Sequence, residues 1–231
     1  MNFPIFNHSI APKSEYVVVI AGGPSTGQTI NKISEYISKY NPIVFSANYN
    51  YGIKANYTCF FDMRKFEEQS ENVCNDIILR NNVYRQCRKQ LSSKIEIIKT
   101  KYNIFLIGSC EGTKSVYREE FIKIDEFGNF PYSTLGATGF GSILAALMCK
   151  PKYILFTGLD GPIVGTKKRK MWDGSIISHK ETDIKKDPKI IRYFQNCLFK
   201  SLYSMGIAVQ TFNEVCLYGL NKKELHIEVI N

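Results

Sequence analysis

Three apolar runs in this chain end in residues suited to holding a phosphorylated ligand: Ala21-Gly22-Gly23-Pro24-Ser25, Ser46-Ala47-Asn48 and Thr157-Gly158-Leu159-Asp160. Paired glycines let a backbone approach a phosphate closely. A helix that starts just after them offers unbonded N–H groups and the positive end of its dipole. The same residues can also simply punctuate a strand, and the spacing of Gly22, Gly23 and Gly27 fits neither a dinucleotide fingerprint nor a Walker A loop. Asn48 either bonds a ligand or caps the next element. Asp62, at the end of a further apolar run, either contacts a sugar or base or caps a helix around Lys65. His179 lies in the polar stretch Ser178-His179-Lys180-Glu181-Thr182-Asp183. With an ordinary pKa of about 6.5 it is suited to take a proton from a hydroxyl nucleophile, although a loop His is also commonly just solvated. The basic run Lys167-Lys168-Arg169-Lys170 can stabilise a departing phosphate or stand free in water.

Short apolar runs alternating with helical periodicity have to position these groups, which predicts an α/β fold with a mostly parallel sheet. Tyr16–Ala21 reads as a buried first strand, 42–48 and 57–62 as the second and third, and 102–107, 153–158 and 207–213 as later ones. Helices are expected over 29–40, 65–79, 139–148 and 190–205. The stretch 108–132 reads as irregular. Residues 161–182, polar, basic and glycine-containing, read as a mobile loop over the site.

The chain has 231 residues, 44% of them apolar and 22% charged, enough to bury a sizeable core in one domain spanning 1–231. Its seven Cys are irregularly spaced without a CxxC pair, which fits a reducing compartment better than a disulfide framework. The N-terminus lacks the pattern of a signal peptide and no apolar run approaches a membrane span, so a cytoplasmic location is expected. A net charge of +9 admits nucleic acid, an anionic membrane surface or a phosphorylated small molecule as partner. The lack of recognisable nucleic-acid motifs argues against the first. No His/Cys cluster has metal spacing, and no metal or other cofactor is expected.

Taken in order, the GGPS turn, FSANYNY (45–51), CFFDMRKFEEQ (59–69), TLGATGFGSILAALMCKPKYILFTGLD (134–160) and SHKETDIKK (178–186) resemble the family-42 bacterial sialyltransferases. The motility-accessory and hydroxymethylpterin-diphosphokinase-like proteins share the GGPS turn and the ILFTGLD block. The resemblance implies a single Rossmann-like domain with helices on both faces of its sheet and a lid at about 161–182. It also implies a CMP-activated sugar donor, an inverting transfer without metal, a glycan acceptor, peripheral contact with an anionic inner membrane, and a homo-oligomer. Gly22, Gly23, Pro24, Ser25, Asn48, Thr138, Gly139 and Asp160 match nucleotide-binding positions, Asp62 replaces an Asn of the family, and His179 matches the catalytic base. Leu135 stands where the family has an Arg, and the family's phosphate-binding Tyr pair is missing, which leaves Lys167, Lys168, Arg169 and Lys170 as substitutes. Two other readings stay open: a pyrophosphokinase or flagellin-glycosylation protein, and a non-catalytic nucleotide-binding module.

Overall fold

The computed structural model describes residues 3–107, 121–124, 128–131, 138–160, 168–178, 188–212 and 223–231. The near-continuous apolar runs form strands β1 (Tyr16–Ile20), β2 (Ile43–Ala47), β3 (Tyr57–Phe60), β4 (Asp76–Arg80), β5 (Ile104–Ile107), β8 (Tyr153–Thr157), β11 (Ala208–Thr211) and β12 (Ile227–Val229). They pair in parallel throughout, in the order β12-β11-β8-β1-β2-β3-β4-β5. The expected α/β class, with one Rossmann-like parallel sheet, is what the chain forms.

Parallel strands need their faces covered, and helices supply this on both sides. On one side, α1 (Pro24–Tyr40) packs Ile33 and Tyr36 onto Val18, Ile20, Val44 and Leu155. Further along the same side, α2 (Met63–Gln69), α3 (Asn81–Gln90) and α4 (Ser92–Lys99) enclose Phe60, Ile77 and Leu79. The opposite side is covered by α5 (Thr138–Leu147) and α6 (Pro188–Ser204), with Phe140, Leu144, Leu198 and Phe199 against Val17, Val19, Phe45 and Phe156. Every residue of α5 from Gly139 to Leu147 is buried, as its small and apolar composition implies. Pro24 opens α1, where its missing N–H is no loss. Asn41 closes the helix in the left-handed conformation, φ 45°, and donates its N–H to the Ile37 carbonyl.

Three expectations need correction. The helix expected over 65–79 stops at Gln69, and Asp76–Arg80 is strand β4 between β3 and β5. The apolar trio Ile77-Ile78-Leu79 suits a buried strand as well as a helix, and the polar segment 70–75 separates the two. Two strands, β6 (Phe121–Ile124) and β7 (Gly128–Pro131), pair as an antiparallel hairpin inside the stretch expected to be irregular. The described part of the expected mobile loop is likewise a hairpin, β9 (Lys168–Lys170) with β10 (Ile176–Ser178), and its tip is packed.

Candidate functional site

The strand order reverses at β1: the chain leaves β1 through α1 toward β2, and leaves the adjacent β8 toward α6 on the opposite face. Open α/β sheets bind ligands in the crevice outside the strand ends at this switch point. Here the switch point is formed by the turns Gly22-Gly23-Pro24-Ser25 and Gly158-Leu159-Asp160.

These two turns are bonded into one unit. Ala21 N–H donates to the Thr157 carbonyl and Gly23 N–H to the Gly158 carbonyl, both at 2.9 Å, so the ladder continues past the strands. Gly158 N–H donates to Ser25 Oγ at 2.9 Å, and Ser25 N–H donates to Asp160 Oδ2 at 2.9 Å. Thr26 Oγ1 donates to the Ala21 carbonyl at 2.8 Å. Gly158 sits at φ +75°, and a Cβ there would strike the Ala21 carbonyl, so both its conformation and its space demand glycine. Gly23 has an ordinary extended backbone, φ −79° and ψ 166°. Its need is for space: a Cβ would lie 2.6 Å from the Gly158 carbonyl oxygen and still closer to the Asp160 carboxylate. The close approach that the glycine pair permits is thus taken by Asp160.

The first turn of α5, which holds Thr138 and Gly139, packs against the same two turns. A Cβ on Gly139 would come within 2.8 Å of the Ala21 methyl and clash with Leu159. Two helix starts, those of α1 and α5, therefore meet at the ends of β1 and β8.

Asn48 directly follows β2, the neighbour of β1, and its position at φ 68° is one that Asn tolerates. Its N–H donates to the Cys59 carbonyl at 3.0 Å, while its side-chain oxygen Oδ1 is buried without a hydrogen-bond partner. Buried acceptors are ordinarily paired, so this one is poised for a donor. Asp62 stands at the N-terminus of α2. It caps α2 by accepting from Arg64 N–H at 2.9 Å and pairs with the Arg64 guanidinium at 3.1 Å, partly exposed. Of the two roles open to it, capping is the one its contacts display.

The hairpin tip covers the glycine turn. Trp172 N–H donates to the Gly22 carbonyl at 3.1 Å. A Cβ on Gly22 would meet the Met171 methyl at 3.0 Å, Tyr49 at 3.5 Å and the Tyr51 hydroxyl at 3.5 Å. Gly27 is needed because the Trp172 carbonyl lies directly on it. Tyr51 meets Trp172 edge to face at 5.4 Å between ring centres, and its hydroxyl donates to the Ala47 carbonyl at 2.6 Å. Asp173 holds the tip by accepting from the Ser175 hydroxyl at 2.6 Å and its N–H at 2.9 Å. Those bonds keep the Asp173 carboxyl below its ordinary pKa. Lys168, Arg169 and Lys170 form the β9 side of this hairpin, with Lys170 exposed. Lys167 and His179 lie outside the described residues, at its two ends.

Tyr49, Tyr51, Met171 and Gly27 were missed in the sequence. The two Tyr so close after a strand end were a signal for Tyr49 and Tyr51, while nothing in the sequence pointed to Met171 or Gly27.

No helix among the described residues is long and apolar enough to cross a membrane. Neither the known family models nor the curated proteins contain a match to the sequence. Among solved structures, the MAf glycosyltransferase from Magnetospirillum magneticum AMB-1 is similar in fold, with a TM-score of 0.54 at 10% identity. The alignment takes in 99% of this chain and 35% of that one, so this chain spans about a third of the length of that enzyme.

Proposed function

We propose that the chain is a glycosyltransferase that moves a sialic-acid-like sugar from a CMP donor to a hydroxyl of a bacterial surface glycan. The observation that carries this reading is the cluster at the switch point: two helix starts, the bonded GGPS and GLD turns, and an unpaired Asn48 acceptor at the end of the neighbouring strand. The fold shared with a MAf glycosyltransferase supports the class, and the family-42 resemblance supplies the donor.

In this reading Gly22, Gly23, Pro24, Ser25, Asn48, Thr138, Gly139 and Asp160 hold the nucleotide, and Asn48 Oδ1 accepts from an amino or hydroxyl group of it. His179 takes the proton of the acceptor hydroxyl as its oxygen bonds the anomeric carbon. The bond from that carbon to the CMP phosphate oxygen breaks, and the released charge is met by the cations of 167–170. Neither metal nor other cofactor takes part. The enzyme works at the cytoplasmic side, in peripheral contact with the anionic inner membrane, as a homo-oligomer and without nucleic acid.

Thermal shift with CMP, CDP, UDP, GDP, ADP and ATP, each with and without Mg²⁺, tests this. A ligand specific to the native state raises the midpoint by mass action. CMP or CDP acting without Mg²⁺ is the expected result. ATP acting only with Mg²⁺ refutes it in favour of a pyrophosphokinase.

A further inference from the structure

On the α1 side of the sheet, the cover is incomplete. β2 and β3 are joined by residues 48–56 without a helix, and beneath that crossover lies a cavity of about 240 Å³. It separates the core under α1 from the core under α2–α4. Its floor is polar where the strands are otherwise apolar. Val44 of β2 and Phe60 of β3 are buried on this side, yet two residues away in register stand Ser46 and Thr58, 3% and 1% exposed. Hydroxyls in a sheet face that a Val would fill cost stability unless they are bonded.

The bonding pattern shows what the floor leaves over. Thr58 Oγ1 donates to Asn75 Oδ1 at 2.8 Å, and with that hydrogen committed Ser46 Oγ donates to Thr58 Oγ1 at 2.7 Å. The lone pairs of Ser46 and both hydrogens of the Asn75 amide are left over, since Asn75 makes no other side-chain bond among the described residues. Ile53, Ala55 and Val73 line the walls. The ionisable groups of the lining are Lys54 and Cys74, both exposed, so nothing in the floor matches a charged ligand. A dry cavity of about 150 Å³ holds a benzene ring, and this one has room for a six-membered ring with its substituents.

The cavity and the Gly22 turn share the segment 49–52 as a wall. Tyr49 and Tyr51 face the Gly22 turn, while Asn50 and Gly52, between and after them, line the cavity. We propose that this cavity is a binding site for a neutral pyranose, with Ser46 and Asn75 bonding its hydroxyls and Ile53 and Val73 against its C–H face. Its role as the acceptor subsite rests on the glycosyltransferase reading. The binding itself does not.

Cys74 at the rim supplies the assay. The full chain is alkylated with iodoacetamide, and the Cys74 peptide is followed by mass spectrometry with Cys197, on α6 and away from the cavity, as internal reference. Methyl β-galactopyranoside and methyl N-acetylglucosaminide are the probes, with glucuronate as the charged control. Either neutral sugar is expected to slow the Cys74 reaction by 1 + [L]/Kd, about fourfold at three times Kd, and to leave Cys197 unchanged. Ser46→Ala removes the floor hydroxyl that bonds the sugar, and Asn75→Ser at the half-buried edge removes the amide if the first variant folds poorly. Protection should vanish in both. Absence of protection by both neutral sugars, equal protection by glucuronate, or undiminished protection in a folded variant overturns the proposal. A CMP thermal shift without sugar protection sinks this site and spares the nucleotide reading; sugar protection without a CMP response does the reverse.

Discussion

Gly27→Ala tests whether the hairpin tip is held on the glycine turn. Gly27 lies within α1, where an Ala is intrinsically better by about 1 kcal/mol. Its Cβ, however, would clash with the Trp172 carbonyl oxygen and lie 3.3 Å from the carbonyl carbon. Non-bonded carbons settle at about 3.5–4.0 Å, so the tip has to retreat. Retreat loses the Trp172 N–H bond to the Gly22 carbonyl, worth about 0.5–1.5 kcal/mol. It also exposes Met171, now 6% exposed, whose burial is worth about 1.5–3 kcal/mol. The docking therefore represents about 2–4.5 kcal/mol, larger than the gain in α1. Trp172 is the only Trp of the chain, so fluorescence reads its surroundings directly. The variant should show red-shifted emission and at least about tenfold faster amide exchange at Trp172, the factor that 1.4 kcal/mol gives. Unaltered emission and exchange, with the midpoint raised by the about 2–4 °C that 1 kcal/mol gives at this size, would mean the tip is not docked there in solution.

Asn48→Gly keeps the left-handed backbone at φ 68° and removes the unpaired carbonyl. Its unfolding midpoint should hold while CMP affinity measured by calorimetry falls by about 1–3 kcal/mol; unchanged affinity removes Asn48 from the site. Asp62→Ala should lose about 1 kcal/mol of stability with its cap and leave CMP affinity alone, as denaturant unfolding and the same titration would show. Burial pushes the Cys59 and Cys149 thiols from 9.0 to about 12 and Cys87 to about 11. Above about pH 9 the unfolded chain has lost protons that the folded one keeps, so stability should be steady below pH 9 and decline from there toward 12. A midpoint independent of pH between 8 and 11 contradicts this.

The sheet centre was legible because parallel strands buried on both faces leave unbroken apolar runs, as at Tyr16–Ile20, Ile43–Ala47 and Tyr153–Thr157. Strand β4 was not, since three apolar residues after a helix fit either period. The β9–β10 hairpin hid for another reason. Lys168–Lys170 reads as a solvated charge run, and what anchors the tip is space above Gly22 and Gly27, which a sequence records only as missing side chains. Ser25 N–H and Asp160 stand 135 residues apart in sequence. Each turn was picked out alone, but their bond belongs to the strand order, which brings β8 beside β1. The two roles left open for Asp62 differed only in its neighbours, and Arg64, two residues on, decided the contact.

The donors of the glycine turn decide which part of a CMP sugar it can hold. Gly23 N–H is bonded to the Gly158 carbonyl, Pro24 has none, Ser25 N–H is bonded to Asp160, and Thr26 N–H to the Gly23 carbonyl at 3.2 Å. A phosphate at this helix start would therefore have to replace the Asp160 carboxylate. Placed about 4 Å beside it, a phosphate would meet repulsion of about 4 kcal/mol at the effective dielectric of a protein surface. The turn is better matched to hydroxyls, which donate to a carboxylate and need no free N–H. On the proposed reading, Asp160 and the Gly22–Ser25 turn then hold the ribose. The phosphate falls to the start of α5 at Thr138-Gly139 and to the cations of the hairpin. On that reading the cations of β9 belong to the hairpin whose tip is bonded to the Gly22 carbonyl through Trp172 N–H, so a substitution that frees the tip should weaken CMP binding as well as expose Trp172.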